Sequence, residues 1–519
     1  MILRKRVFLS VFVILVMFAG LGMVNPANMQ APRQSAAAPA SVSTVPPGTY
    51  FVSVKGRDAN PGTLAKPWRH IQYALDRVGA GSTVKVLTGV YKEFVTFKNS
   101  GKRGNYIVLR NYPGHAPVID GTGLRIKGET GLVTIENKQY VKLIGFEIRN
   151  LKAGGVPSAF PQGISVRGNG AFIEIRDNKV HDIKNSCSHC GAHGIAVYGR
   201  DPDASIHDLL IDGNEVYNGK FGWSESVVLN GNVEFFTVSN NRVHDNDNIG
   251  IDFIGFEEEN PNPDLDRARD GIVVGNLVYN IDSYGNPAYG DERSAGGIYV
   301  DGGTRIVIER NIIHDANLGV ELASEHAGKN TSYITLRNNF LYNNTQTGIA
   351  FGGYDTERGS TENCVIVNNT LYNNATQGDW GAELYIQFDT RNNIVKNNII
   401  FANDARLFLE NWSEVMTGNV IDRNLFFAPG GGSDGSWIWQ NVAYTTFADY
   451  QSGSGNDATS LIGLDPLLAN PTDGNLHIRR GSPAVDAGEN LSDAEMGTQD
   501  IDGEARIHHG SVDIGADER

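Results

Sequence analysis

The chain has 519 residues, with 44 Lys and Arg against 59 Asp and Glu, a formal net charge of −15. That balance argues against nucleic acid or an anionic membrane surface as partner, because phosphate recognition needs a basic footprint. Three cysteines exclude a disulfide framework, and 61 glycines without a G-x-y period indicate many turns between short strands.

In chain order, Arg4-Lys5-Arg6 precedes an apolar run from Val7 to Val24. A basic segment ahead of an apolar one reads as an export signal over residues 1–40, cleaved near Ala27 or within Ser35–Ala40, with an uncleaved N-terminal anchor as the alternative. The Ala- and Pro-rich stretch up to residue 47 reads as a spacer. The protein is therefore expected to be secreted or associated with the cell envelope. Pro67–Val78 carries Ile71, Ala74, Leu75 and Val78 on one side, which predicts a short helix capping the N-terminal end of the fold.

From there on the chain repeats. A hydrophobic-x-x-Asn-x-aliphatic-aromatic pattern places asparagine at 178, 214, 241, 276, 311, 339, 369, 398 and 424. The mean spacing is about 31 residues, a solenoid period. Between copies lies a second element, such as GISVRG from Gly163, GIAVYG from Gly194, GIDFIG from Gly250 and GIYVDG from Gly297. Both elements alternate with period two and neither shows a 3.6-residue period, so each coil reads as strand, asparagine turn, strand, loop, strand. The fold class is all-β, a parallel β-solenoid whose stacked coils share one core. Asparagine tolerates the left-handed conformation a sharp corner needs, and stacked copies are able to hydrogen-bond along the axis. Once per coil, His181, Tyr217, His244, Tyr279, His314, Tyr342 and Tyr372 follow a buried aliphatic, which reads as an outer aromatic ladder rather than as catalysts. Cys187-x-x-Cys190, with His189 and His193 in the same loop, reads as a local disulfide, a free pair or a partial metal site, and Cys364 as a core residue.

Tyr50–Gly121 (YFVSVKGRDANPGTLAKPWRHIQYALDRV…) resembles the N-terminal part of secreted right-handed parallel β-helix proteins, among them polysaccharide lyases of the family-nine pectate lyase and chondroitinase B/alginate lyase types. Asp465–Glu518 (DPLL…GNLHIRRGSPAVDAG…DIDGEAR…VDIGADE) resembles the choice-of-anchor Q module found behind such helices. The resemblance implies a right-handed helix over 48–430, a C-terminal module over 431–519, a polysaccharide substrate and a monomer. It departs at the site: such lyases use a basic residue to abstract the proton, and the central strands present no outward lysine.

Reading the G-I-x-V-x-G strands outward places Asp252, Asp301 and Glu321 on three successive coils, with Tyr299 among them and Glu325 and His326 just beyond. The two long insertions, Phe256–Asp270 and Ile281–Ala295, flank these strands as groove walls. Stacked strands put Asp252 and Asp301 about 8 Å apart at the backbone and Asp252 and Glu321 about 9.6 Å apart. Two carboxylates so spaced suit acid and base of an inverting glycoside hydrolase. All three equally suit Ca²⁺ in a β-elimination on a uronate-containing polysaccharide, with Arg293 as proton acceptor. Tyr299, Glu325, His326 and Asn230 are then substrate-binding candidates. The alternative is a non-catalytic carbohydrate-binding or cell-surface β-helix.

Overall fold

Alternating apolar residues that each need a partner coil wind the chain into a right-handed parallel β-helix of about 13 turns, seen in a computed structural model that describes residues 45–378 and 380–519. The expected export segment lies outside the described residues. One face is a sheet of 13 parallel strands, one per coil, and a continuous 28-stranded sheet wraps the other two faces. The strands after the asparagine turns pair in register, Val180 with Val216, Val216 with Val243, Val243 with Val278 and Val278 with Ile313. Those side chains are 0–1% exposed and form the solenoid core.

The nine pattern asparagines form one buried ladder. Asn178 Nδ2 donates to Asn214 Oδ1 at 3.0 Å, Asn214 to Asn241 at 3.0 Å, Asn241 to Asn276 at 3.0 Å, and so on to Asn398 and Asn424 at 3.0 Å. Each Nδ2 also reaches a strand carbonyl, as Asn214 does to Ile175 O at 2.9 Å. The left-handed corner residue is not the ladder asparagine but the one before it: Asp177, Gly213, Asn240, Gly275, Arg310, Asn338, Asn368, Asn397 and Arg423 all have φ between 53° and 67°. The pattern asparagine is needed for its amide, and the preceding residue makes the bend. Outside, His181, Tyr217, His244, Tyr279, His314 and Tyr342 stack ring on ring with centroids 4.7–5.2 Å apart.

The N-terminal helix is Ile71–Leu75, shorter than Pro67–Val78, because His70 is still extended. Glu93 supplies the cap from a neighbouring segment, its carboxylate accepting from Ile71 N at 2.9 Å and Gln72 N at 3.0 Å. At the other end, Asp434–Trp439 adds a strand to the stack by pairing with Leu407–Asn411, then turns antiparallel onto Val442–Thr446. Trp437 is fully buried against Phe408 there. Residues from 465 onward fold back along the solenoid. Corner residues Asn338, Asn368 and Asn397 donate to Met496 O, Asp513 O and Glu489 O at 2.9–3.0 Å, and Lys396 pairs with Glu489 at 2.9 Å. Leu476, Ile478 and Ile514 pack on Phe340, Ile399 and Leu425. Residues 431–519 therefore belong to the same compact unit as the coils before them. Among the described residues no helix is long and apolar enough to cross a membrane.

Candidate active site

Four stacked strands position the site: Val227–Gly231, Ile251–Ile254, Gly296–Asp301 and Leu318–Ala323. Val228 pairs with Asp252, Asp252 with Tyr299 and Tyr299 with Glu321, while Asp301 pairs with Ala323. The predicted column is therefore present, pointing away from the solenoid core. It is nevertheless not solvent-facing: Asp252, Asp301 and Tyr299 are 2–4% exposed and Glu321 is 7%.

What covers the column is more acid. Glu225, just ahead of the first strand, is buried beside Asp252. Glu325, after the fourth strand, receives the Tyr299 hydroxyl at 3.5 Å and gives its main-chain N–H to Asp301 Oδ1 at 2.7 Å. Glu257, in the Phe256–Asp270 loop, is exposed as a residue but turns its carboxylate inward, where Oε2 accepts from Asn230 Nδ2 at 2.8 Å.

Burial raises every one of these acids and neighbouring carboxylates add to it, although at Glu325 the charge of Arg358 opposes the rise. Burial and the neighbouring Glu225, Asp301 and Glu257 push Asp252 well above the carboxylate range. Burial, Glu325 and Glu257 do the same to Asp301 against the Glu325 N–H bond. Glu321 is pushed up to about 8 by burial and Glu325, and Glu257 to about 7 by burial and Glu325. Arg358 is the one cation among the principal charges on these acids: it lies over the Tyr354 ring at 4.6 Å and donates to Glu325 O at 3.3 Å.

Arg293 does not take the expected place as proton acceptor. Its guanidinium lies over Tyr284 at 4.1 Å and 3.9 Å from Asp282, so the loop's own residues occupy it. His193 is not a metal ligand of the cysteine loop. It is 1% exposed, Nδ1 donates to Glu225 O at 3.0 Å, and Nε2 accepts the Tyr198 hydroxyl at 2.6 Å. Burial pulls its pKa down to about 4. Cys187 and Cys190 form a disulfide. Their loop anchors Trp223, whose Nε1 donates to Ser188 O at 2.7 Å and whose ring lies 4.8 Å from Tyr289.

Asp252, Asp301 and Glu321, the carboxylates that suit Ca²⁺ by their spacing, are not as a trio among the groups whose ligand atoms all lie within 4.8 Å of one another among the described residues. In this region the acid and histidine atoms that lie within 4.8 Å of one another, among the described residues, belong to Glu257, Asp301 and His326. That set includes an imidazole nitrogen, whereas calcium takes six to eight oxygens.

Glu225, Glu257 and Arg358 are not among the residues the sequence patterns single out for the site. The Glu257-Glu258-Glu259 run right after the Asp252 strand was the one local signal, whereas Glu225 and Arg358 reach the cluster only through loop paths.

Two family models match the chain, a Pel9A-like right-handed β-helix region over residues 50–218 and a right-handed β-helix region over 273–449. The Bacillus subtilis (strain 168) protein YwoF is 40% identical over 439 residues, 84% of this chain and 92% of YwoF. Pectate lyase PEL9 of Emericella nidulans is 30% identical over 112 residues, 19% of this chain and 27% of that one. Of solved structures, XylC in complex with xylose is similar with TM-score 0.49 and 13% identity, covering 90% of this chain and 98% of XylC. Pectate lyase Pel9A is similar with TM-score 0.44 and 14% identity, covering 92% and 97%. The chain belongs to the family of YwoF, whose fold here is the right-handed parallel β-helix.

Proposed function

We propose that the chain is an exported carbohydrate-active enzyme that cleaves a polysaccharide at the buried acid column, by hydrolysis. The observation that carries this reading is the pairing Asp252–Tyr299–Glu321, which sets two carboxyls two ladder steps apart under a cover of further acids. That is about 9.6 Å at the backbone. An inverting mechanism needs its two carboxyls about 6.5–9.5 Å apart, with room for a water between them. Glu321, held protonated at neutral pH by burial and Glu325, is the acid that protonates the leaving oxygen. Asp252, whose Oδ1 has no hydrogen-bond partner, is the base, and it acts from a minor ionised state because burial and Glu225 hold it well above the carboxylate range. Asp301 is committed to the Glu325 N–H and supports rather than performs the transfer.

Elimination is the second reading, favoured by the Pel9A-like match over residues 50–218. Product mass after digestion of pectate, alginate, glycosaminoglycan and neutral glycans separates the two. Fragments heavier by one water per cut support hydrolysis. Fragments whose masses sum to the parent sink it, and no cleavage of any glycan supports a binding module instead.

A further inference from the structure

At the rim of the acid column, Glu257 and His326, to which neither cleavage reading gives a chemical step, join Asp301 in one ligand set. Glu257, Asp301 and His326 each bring one ligand atom to within 4.8 Å of the other two. Two of the three are already oriented from behind. Asn230 Nδ2 donates to Glu257 Oε2 and the Glu325 N–H donates to Asp301 Oδ1, leaving each carboxylate its other oxygen. His326 Nε2 is buried and has no hydrogen-bond partner. Such outer donors are what hold metal ligands in place. A second observation points to the same spot. Asp252 is 2% exposed, its Oδ1 has no partner, and its main charge neighbours include Asp301 and Glu257. Arg358 is the one cation among the principal charges on these carboxylates, so the cluster is short of positive charge beside an unpartnered imidazole nitrogen.

We propose that Glu257, Asp301 and His326 form a binding site for a first-row divalent cation of the zinc class. One nitrogen and two carboxylate oxygens are the mixed donor set such ions accept, and calcium's preference for oxygen alone excludes it here. Three protein ligands would leave a coordination position open, as in sites that bind water or substrate rather than purely structural ones. A second trio, His477, Asp502 and Asp517, also converges on the C-terminal segment, but His477 Nε2 there already pairs with Asp502 at 2.9 Å and Asp517 Oδ2 accepts from Ile478 N at 2.8 Å.

The test is isothermal titration of the chelator-stripped, tag-free chain with ZnCl2 alone and with CaCl2 alone. It needs no substrate, so its failure is distinct from failure of the hydrolase reading. One zinc equivalent should bind, with calcium weaker by at least about tenfold. Glu257→Gln and His326→Ala should abolish that equivalent, and Asn230→Ala should weaken it by about 10–100-fold. His477→Ala should leave it unchanged. Cobalt(II) should give a visible ligand-field band that His326→Ala removes. Zinc affinity unchanged in both Glu257→Gln and His326→Ala, with circular dichroism and melting intact, would overturn the assignment. So would calcium binding tighter than zinc, zinc loss confined to His477→Ala, or no zinc binding. Glu257 is exposed, so its variant should fold even if the buried substitutions do not.

Discussion

The Tyr198 hydroxyl lies 2.6 Å from His193 Nε2, and both residues are buried at the edge of the acid column. Because Nδ1 already donates to the Glu225 carbonyl, Nε2 must accept, so the pair fixes the imidazole in its Nδ1–H form. Burial, opposed only by the Glu225 carbonyl and the charge of Glu129, keeps it neutral. Long-range ¹H–¹⁵N spectra of the ¹⁵N-histidine protein should show one neutral, Nδ1-protonated ring that does not titrate between pH 5 and 8. Its signals should vanish in His193→Gln. A ring at this site titrating near 6.5 would contradict the geometry.

The pH dependence of stability has a definite sign in the metal-free protein. Glu321 has a folded pKa of about 8, above its ordinary value, so between roughly pH 4.5 and 8 the native state holds a proton that the unfolded chain has lost. Stability is therefore greatest on the acid side of this window and falls as pH rises through the folded pKa. Thermal melts after chelation should show the midpoint dropping from pH 5 to pH 8. Glu321→Gln should flatten that slope, gaining stability at pH 8 relative to pH 5. A slope of the opposite sign would mean the acid is ionised in the native state.

At the catalytic level, Asp252→Asn and Glu321→Gln should each lower kcat by about 10²–10⁴-fold, with KM changed little. Arg293→Ala, a substitution at a loop stack on Tyr284, should leave kcat within about threefold, since surface changes away from the chemistry cost little. Steady-state kinetics on the first cleavable glycan checks both. Full activity in the two acid variants would move the chemistry elsewhere.

The asparagine ladder makes a stability prediction independent of function. Asn276→Ala removes the acceptor of Asn241 N and Nδ2 and the donor to Val238 O, all inside the turn. Each unsatisfied buried group costs about 1–3 kcal/mol, so the urea midpoint should fall by a loss of about 3 kcal/mol or more. Asn280→Gly, which keeps the left-handed φ of 52° at an exposed amide whose bond goes to Asp245, should cost under about 1 kcal/mol.

Reduction of Cys187–Cys190 should act locally. The closed loop is short, so chain entropy assigns it about 2 kcal/mol at most. Because the loop carbonyls at Ser188 and Cys190 hold Trp223, tryptophan emission should shift on reduction while far-ultraviolet dichroism stays constant. A protein with Trp223→Phe should lose that shift.

The coils were legible from residues alone because each repeats the same local demand. An alternating strand must bury one face, and the asparagine amide must satisfy corner groups on the next coil, so Asn178 to Asn424 announce both the period and the stack. The column Asp252–Tyr299–Glu321 was legible for the same reason, since register follows from the repeat once the coils are aligned. The helix over Ile71–Leu75 was readable in kind but not in length, because its start is set by the Glu93 carboxylate, which lies outside it. Loops obey no such period. Where Glu225, Glu257, Glu325 and Arg358 end up, and that Arg293 turns to Tyr284 instead of to the acids, depended on how irregular segments pack over the strands. Burial of an outward-pointing residue is likewise a property of what covers it. The repeat thus determined the strand and its register, and only the packed loops decided that the acids are dry, crowded and raised in pKa, because desolvation and like charge exist only once separate coils and loops have been brought together.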